Sequence, residues 1–485
     1  MDDTFSQIRA AAIDGRAINI FYRQKQLEQL CNALIKRSPE IREAIAADYG
    51  HSPTEIAVEL HSALQSVKRD YESLRPDEEH KREYLIAAGK DARSVKKLAG
   101  IVYVQPCTHT LFYSVIVPLS AAIAAGNCVI VLLENNLRNV SAVLRQVLTS
   151  ALDRDTFAIA ENPVEDPALL HSAFVVNQLG SDRWPRSNIL ASPMQSRTVA
   201  VVDRTANIQV AAHELVAARF SFSGTSPYAP DYIFVNEFVK RDFLQAVVGE
   251  CAKLSGGLAT NGSDEKALEV SKVDNRVTAL RNSDPNARVV LQEKRMAVVD
   301  LIARDRSVLA KKSEAPVMVV HAIRSLDHVI DLVGGTAEEP ALAAFHFSNP
   351  ASGKYLSQFI DARVSFVNHV SREILVGPAF PAGHGIDPEV RYPGDLFALQ
   401  RPAFINASTS SVLIGDALSS SSNATASKLC AEATAPLAAM KRSPGGGVGF
   451  FEQGFLMNAG LLLTTTISVT SISIYWLTRQ RRALW

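Results

Sequence analysis

Apolar positions in residues 1–90 recur with the spacing of buried helical faces. Leu27, Leu30, Cys31, Leu34 and Ile35 fall at intervals of three and four, with Lys, Arg and Glu on the remaining side. Ile41–Tyr49 and Glu55–Leu74 repeat the pattern, so the region is predicted helical. At Gly100 the texture changes. Ile101–Gln105 is a short β-rich run, Phe112–Ala125 reads as a helix, and Cys128–Leu133 is apolar at every position. Val140–Leu152 gives a second helix, and Phe157–Ala160, Ala173–Asn177 and Val199–Val202 give further strands. Strands that are apolar throughout, rather than at alternate positions, predict a parallel sheet covered by helices on both faces. Right-handed crossovers follow.

Asn207–Phe220 is an amphipathic helix that opens a second α/β region. Strand candidates there are Tyr232–Val235, Val289–Leu291, Pro316–Val320, Ala341–Phe347 and Val364–Asn368. Phe238–Leu254 and Leu326–Val333 read as helices, and a polar stretch runs through Asn282–Asn286. The pattern predicts the α/β class, with a nucleotide-fold-like (Rossmann-like) domain over residues 1–205 and a second doubly wound domain over 206–370.

Ser, Thr, Ala and Gly dominate residues 406–450, which reads as a flexible linker. Asn406-Ala-Ser and Asn423-Ala-Thr match the glycosylation acceptor pattern but, with no signal peptide ahead of them, are read as chance. Phe455–Leu477 then carries no charge over 23 residues. At ~1.5 Å per residue such a helix crosses the ~30 Å hydrocarbon layer. Tyr475 and Trp476 stand where an interfacial belt belongs, and Arg479, Arg481 and Arg482 follow. Its many Thr and Ser residues leave a buried or amphipathic helix as the alternative. The expectation is a single C-terminal span over 455–477, inserted after synthesis, with the main domain facing the cytosol and the endoplasmic reticulum favoured as the membrane.

Charge and cysteine content narrow the function classes. Lys+Arg and Asp+Glu both number 50, so nothing favours nucleic acid or another polyanion. The five Cys (31, 107, 128, 251 and 430) have neither metal-ligand nor disulfide-scaffold spacing, which points to a reducing compartment.

Several local motifs carry a resemblance. Pro118 followed by Ala121-Ala122-Ile123-Ala124-Ala125-Gly126-Asn127, Gly224 with Ala229-Pro230-Asp231-Tyr232, and Pro316-Val317-Met318 appear in the order and spacing of the class 3, fatty aldehyde branch of the aldehyde dehydrogenases. A hydrophobic C-terminal anchor fits that branch too. The resemblance covers about residues 10–400. It implies two α/β domains, a bridging segment over 371–405 that supports a homodimer, and a substrate tunnel between domains. It also implies a reaction in which a Cys thiolate attacks an aldehyde and hydride passes to NAD or NADP.

The residues that reaction needs are replaced. The nucleophile falls at Pro227, which has neither thiol nor amide proton. The general-base Glu falls at Pro193, and the oxyanion-binding Asn at His109. Imidazole retains one N–H to donate. On the cofactor side the Lys and Glu of the family fall at Leu132 and Asn135. The Gly-x-Thr-x-x-Gly turn falls on Gly180–Pro185, where Gly180 survives while Asp182 adds negative charge and Pro185 removes a donor. The Glu and Phe of a third motif fall at Lys312 and Glu314. The bridging segment also departs, since Pro381-Ala382-Gly383-His384-Gly385 only roughly matches the family's Pro-Phe-Gly-Gly.

The expectation is therefore a membrane-anchored protein that has lost aldehyde oxidation and serves as an accessory or small-molecule-binding protein, possessing no intact catalytic set and no assured cofactor. Its ligand would be an apolar small molecule in the old tunnel. The alternative is an active divergent oxidoreductase using NAD or NADP, or an enzyme with redox-free chemistry. For the latter the candidates are Cys107 paired with His109, together with Tyr228 and Asp231. Thr225 and Ser226 are read as turn residues, their hydroxyls having no evident base.

Overall fold

The computed structural model describes all residues except 1–4, 91–95, 181–187, 258–263, 303–308, 310, 314, 336–338, 401–406, 421–422, 439–446 and 483–485. The chain forms two compact units, Met1–Ala403 and Phe404–Trp485.

Within the first unit the strands are β1 Lys96–Leu98, β2 Ile101–Gln105, β3 Cys128–Leu132, β4 Phe157–Ala160, β5 Phe174–Asn177, β6 Ile189–Ala191, β7 Thr198–Val202, β8 Tyr232–Asn236, β9 Arg288–Gln292, β10 Ala297–Leu301, β11 Val317–Ile323, β12 Ala343–Phe347, β13 Ser365–Val367 and β14 Ala398–Gln400. A five-stranded parallel sheet has the order β4-β3-β2-β5-β6. Its strand order reverses between β2 and β5, the place where doubly wound folds open a crevice beyond the strand ends. A seven-stranded sheet has the order β13-β12-β7-β8-β11-β10-β9, parallel except for β9 at its edge. β1 and β14 form an antiparallel pair, tying the bridging region to the segment before β2.

The apolar strands behave as their composition dictates: β3, β5, β7, β8 and β12 are buried at every position. Helix termini follow the side chains that cap them. Ser52 and Glu55 form a reciprocal capping box ahead of the helix Pro53–Ser73, and Asn207 caps Ile208–Phe220.

One boundary moves. The sequence pattern predicts β7 in the first domain, over residues 1–205. It pairs instead with β8 and β12 of the second sheet. The chain changes sheets between Ala191 and Thr198, because a uniformly apolar strand suits either covered sheet equally well. The short strand β6, the strand β10 and the helix Asp264–Ser283 were not anticipated. Most of that helix covers residues to which the sequence pattern assigns no element, since few of its positions are apolar. Val273, Val277 and Leu280 anchor it to the core.

The helix Leu111–Ala124 is buried along its entire length and contains Pro118. An internal proline removes the amide that would bond the carbonyl four residues earlier. Here that carbonyl belongs to Ser114, and the Gln178 side-chain amide donates to it at 3.0 Å. Gln178 also accepts from the Cys107 backbone amide at 3.1 Å. One side chain therefore compensates the proline and ties the end of β5 to the loop after β2.

In the second unit, helices occupy Thr409–Ser420 and Asn423–Ala433, inside the stretch read as a linker. The helix Phe450–Arg482 follows, and Phe451–Trp476 within it is 26 residues long and unburied, long and apolar enough to cross a membrane. The expected span 455–477 differs from this stretch by a few residues at its start and one at its end.

Candidate functional site

The loop between the helix Ile208–Phe220 and β8 carries the candidate residues Thr225, Pro227, Tyr228 and Asp231. Three successive residues take left-handed backbone: Phe222 (φ 51°), Ser223 (φ 54°) and Gly224 (φ 68°). For residues with a Cβ this costs roughly 1–2 kcal/mol each, so neighbours must impose it. They do. The Phe222 amide donates to the Glu55 carboxylate at 2.6 Å, and the Phe222 ring meets His51 and His109 edge-on. At Gly224 an added Cβ would lie 2.8 Å from Pro316 Cα, so this position needs glycine both for its φ and for the close approach.

Pro227 has its carbonyl fixed from two sides, accepting from Lys312 Nζ at 2.7 Å and Thr198 Oγ1 at 3.0 Å. Lys312 also donates to the Ser196 carbonyl at 3.0 Å and lies 3.3 Å from Asp231 Oδ2. The charge reversal noted at Lys312 thus works inside the protein, bracing the loop. Glu314 and residues 181–187, which include Asp182 and Pro185, lie outside the described residues.

Asp231 is fully enclosed. It accepts from the Thr198 amide at 2.7 Å and the Ser313 amide at 2.8 Å, and stands 3.8 Å from Arg219, also fully enclosed. Arg219 donates to the carbonyls of Pro230, Ser313 and Ala315. Burial lowers the guanidinium to about 10 despite the opposing pull of Asp231. Asp231 therefore cross-links β7, β8 and the segment ahead of β11.

Tyr228 is likewise enclosed, its hydroxyl accepting from the Phe380 amide at 3.1 Å and its ring lying against Phe380 and Arg391. It bolts the loop to the bridging region. Burial raises its hydroxyl above the ordinary range.

The Cys107–His109 pair named under the alternative reading does not form. The Cys107 thiol lies 3.2 Å from Ser114 Oγ and 3.3 Å from the His109 carbonyl, not its ring. Burial pushes the thiol up to about 11, leaving it protonated and inert. The chain turns through left-handed Thr110 (φ 45°) just before the helix.

His109 reaches the loop instead. Its Nε2 is 2.9 Å from the Leu375 carbonyl, which can only accept, so Nε2 carries the proton. Nδ1 is then the unprotonated nitrogen, 2.9 Å from Thr225 Oγ1, whose single proton also faces the Phe222 carbonyl at 2.8 Å. Burial, with His51 and Arg391 nearby, lowers His109 to about 3, so the ring is neutral. Its one N–H is spent on Leu375, which removes the oxyanion-donor role the sequence left open. Thr225, read as a turn residue, closes the turn through the Phe222 carbonyl at 2.8 Å and also lies beside the His109 ring.

Pro193 occupies a tight turn, its carbonyl accepting from the Ser196 amide at 3.2 Å, and offers no proton acceptor on its side chain. Gly180 is left-handed (φ 68°), and an added Cβ would come within 3.2 Å of Met194 Cβ. Leu132 is buried in the first sheet's core, while Asn135 is exposed.

Sequence pattern alone gives no sign of the long-range contacts made by Glu55 and Gln178 or of the Thr225–His109 contact. The Ser52–Glu55 capping pattern was visible, but that the same carboxylate would reach Phe222, 167 positions away, was not.

No family model matches the chain. It is 24% identical over 370 residues to 4,4'-diaponeurosporen-aldehyde dehydrogenase of Staphylococcus aureus, covering 70% of this chain and 79% of that one. It is 23% identical over 384 residues to aldehyde dehydrogenase family 3 member B1 of Homo sapiens, covering 74% and 81%. Among solved structures, the substrate-bound Staphylococcus aureus AldH superposes with a TM-score of 0.64 at 21% identity, over 83% of this chain and 93% of that one. By fold and sequence likeness together, the chain is aldehyde dehydrogenase-like, with its similarities in the class 3 branch.

Proposed function

We propose that this protein is a membrane-anchored aldehyde dehydrogenase-fold protein that has lost NAD(P)-dependent aldehyde oxidation and acts as a small-molecule-binding or pathway-accessory protein. The observation that carries the reading is Pro227. At the nucleophile's place stands a ring with no thiol, and its carbonyl is locked by Lys312 and Thr198. The nearby thiol, Cys107, is buried and pushed up to about 11. Loss of a catalytic nucleophile typically costs about 10⁴–10⁶ in rate. The cation expected at the cofactor's ribose is replaced by Leu132, packed in the core.

The exposed apolar helix supports the anchor, with the main unit facing the cytosol and the endoplasmic reticulum as the membrane. A homodimer through residues 371–405 follows from the resemblance. Full-length protein in detergent, incubated with long-chain aldehydes and NAD or NADP, is expected to form no reduced nicotinamide. Titration calorimetry with either cofactor is expected to be flat. Turnover like that of ordinary members of the superfamily, or saturable cofactor binding, would reverse the reading.

A further inference from the structure

A nucleophile and base within hydrogen-bond reach, with the base oriented by a third group, form the recurring signature of covalent catalysis. The site loop contains such a set in which no member is a cysteine. Thr225 is part-exposed, while His109 behind it is 6% exposed. The Thr225 hydroxyl has a single proton and two acceptors, His109 Nδ1 at 2.9 Å and the Phe222 carbonyl at 2.8 Å. His109 Nε2–H is held by the Leu375 carbonyl at 2.9 Å, which fixes tautomer and ring together. The Phe222 ring meets His109 edge-on, and the left-handed run Phe222–Gly224 sets the direction in which Thr225 leaves the turn.

We propose that Thr225 and His109 form a nucleophile–base dyad that takes up an acyl group from an activated ester or thioester. The step needs no oxidant. Thr225 Oγ bonds to the acyl carbon as its proton passes to His109 Nδ1. The tetrahedral adduct then collapses, breaking the bond to the leaving group, which departs as the thiolate or phenolate anion, while the weakly basic His109 Nδ1 releases its proton to solvent. Water, deprotonated by the same nitrogen, releases the acid and restores the hydroxyl. The ring passes the proton through Nδ1 alone, so Nε2–H···Leu375 stays intact throughout.

The environment sets the substrate class. A buried imidazole facing His51 and Arg391 and lowered to about 3 is a weak base. Such a base suits a leaving group that departs with little protonation, a thiolate or phenolate rather than an ordinary alkoxide. The ring of Phe222 beside the dyad favours an apolar acyl chain. The proposal rests on the reading above only in taking the nucleophile's place to have been vacated at Pro227.

The test uses full-length protein in detergent and p-nitrophenyl octanoate. The expected result is a burst of nitrophenolate of about one equivalent per chain. Mass spectrometry of the quenched protein should place an octanoyl increment on the peptide containing Thr225. The burst rate should stay flat from mildly acidic to neutral pH, since the base is neutral throughout. Thr225→Ala should abolish burst and label, and Thr225→Ser should restore both; His109→Gln should slow the burst with the fold intact by thermal unfolding. No burst in the wild type, a burst unchanged in Thr225→Ala, or a label on a cysteine or lysine would each overturn the dyad. A parallel assay with octanal and NAD separates the two ideas, because reduced nicotinamide would overturn the loss of oxidation whatever the ester result.

Discussion

Glu59 is fully enclosed, one oxygen accepting from the Tyr113 amide at the start of the helix Leu111–Ala124 and the other without a hydrogen-bond partner among the described residues. Thr110, the residue before that helix, is left-handed and its side chain caps nothing in the first turn, so Glu59 supplies the missing acceptor from another helix. Burial raises its carboxyl to about 7, against the pull of the Tyr113 and Phe112 amides. The folded chain therefore holds a proton that the unfolded chain releases near 4.5. The resulting stabilisation is complete below that pH and is lost as pH rises through about 7. Asp70, on the same helix and also raised to about 7, acts in the same direction. His109 acts oppositely, its contribution falling away as pH drops below 6.5. Glu59→Gln keeps the acceptor and removes the charge. It is expected to match wild type near pH 5 and to be more stable at pH 8, by on the order of 1–3 kcal/mol, in thermal unfolding across pH. A variant no more stable than wild type at pH 8 would show that Glu59 is not protonated in the fold.

Among the elements, the contact that matters most to the site is the one made by Gln178 at the end of β5. It satisfies the Ser114 carbonyl orphaned by Pro118 and holds the Cys107 amide. Gln178→Ala leaves both groups enclosed without partners and is expected to destabilise by about 2–4 kcal/mol, from roughly 1–3 kcal/mol per buried unsatisfied group with partial relaxation. Pairing it with Pro118→Ala returns an amide to Ser114, so the double variant should regain part of the loss in denaturant unfolding. Equal stability of single and double variants would mean that the Ser114 carbonyl does not need Gln178. The local sequence announced the helix and its proline. It held no sign that a glutamine sixty positions later would answer the proline, since side-chain pairing over that distance depends on how the strands are ordered in the sheet.

At the scale of the molecule, the compact unit Met1–Ala403 contains both sheets, whereas the helix Phe450–Arg482 exposes Leu461, Leu462, Leu463, Ile467 and Ile472. Contiguous exposed apolar surface of this extent calls for lipid or a partner. A chain ending at Ala403 is expected to fractionate as soluble and to keep the unfolding midpoint of the full chain in detergent within about 2 °C. Failure to fold, or a midpoint lowered by several degrees, would show that the first unit depends on the second.

What the sequence determined by itself is the kind of molecule. Uniformly apolar strands with intervening helices predicted covered parallel sheets, and 23 uncharged residues predicted a helix long and apolar enough to cross a membrane. The residue types at Pro227, Pro193, His109 and Leu132 were equally legible, because chemistry absent from a residue type is absent in any fold. Tertiary structure alone decided how the remaining groups combine. It assigned β7 to the second sheet, turned Lys312 inward onto Pro227, enclosed Asp231 and Tyr228 as cross-links, parted Cys107 from the His109 ring, and set Thr225 against that ring instead. The reason is geometric. Periodicity and composition are local properties of the chain, whereas a hydrogen bond between residues 109 and 225 exists only once two sheets and the left-handed turn at Phe222–Gly224 have fixed where each side chain points.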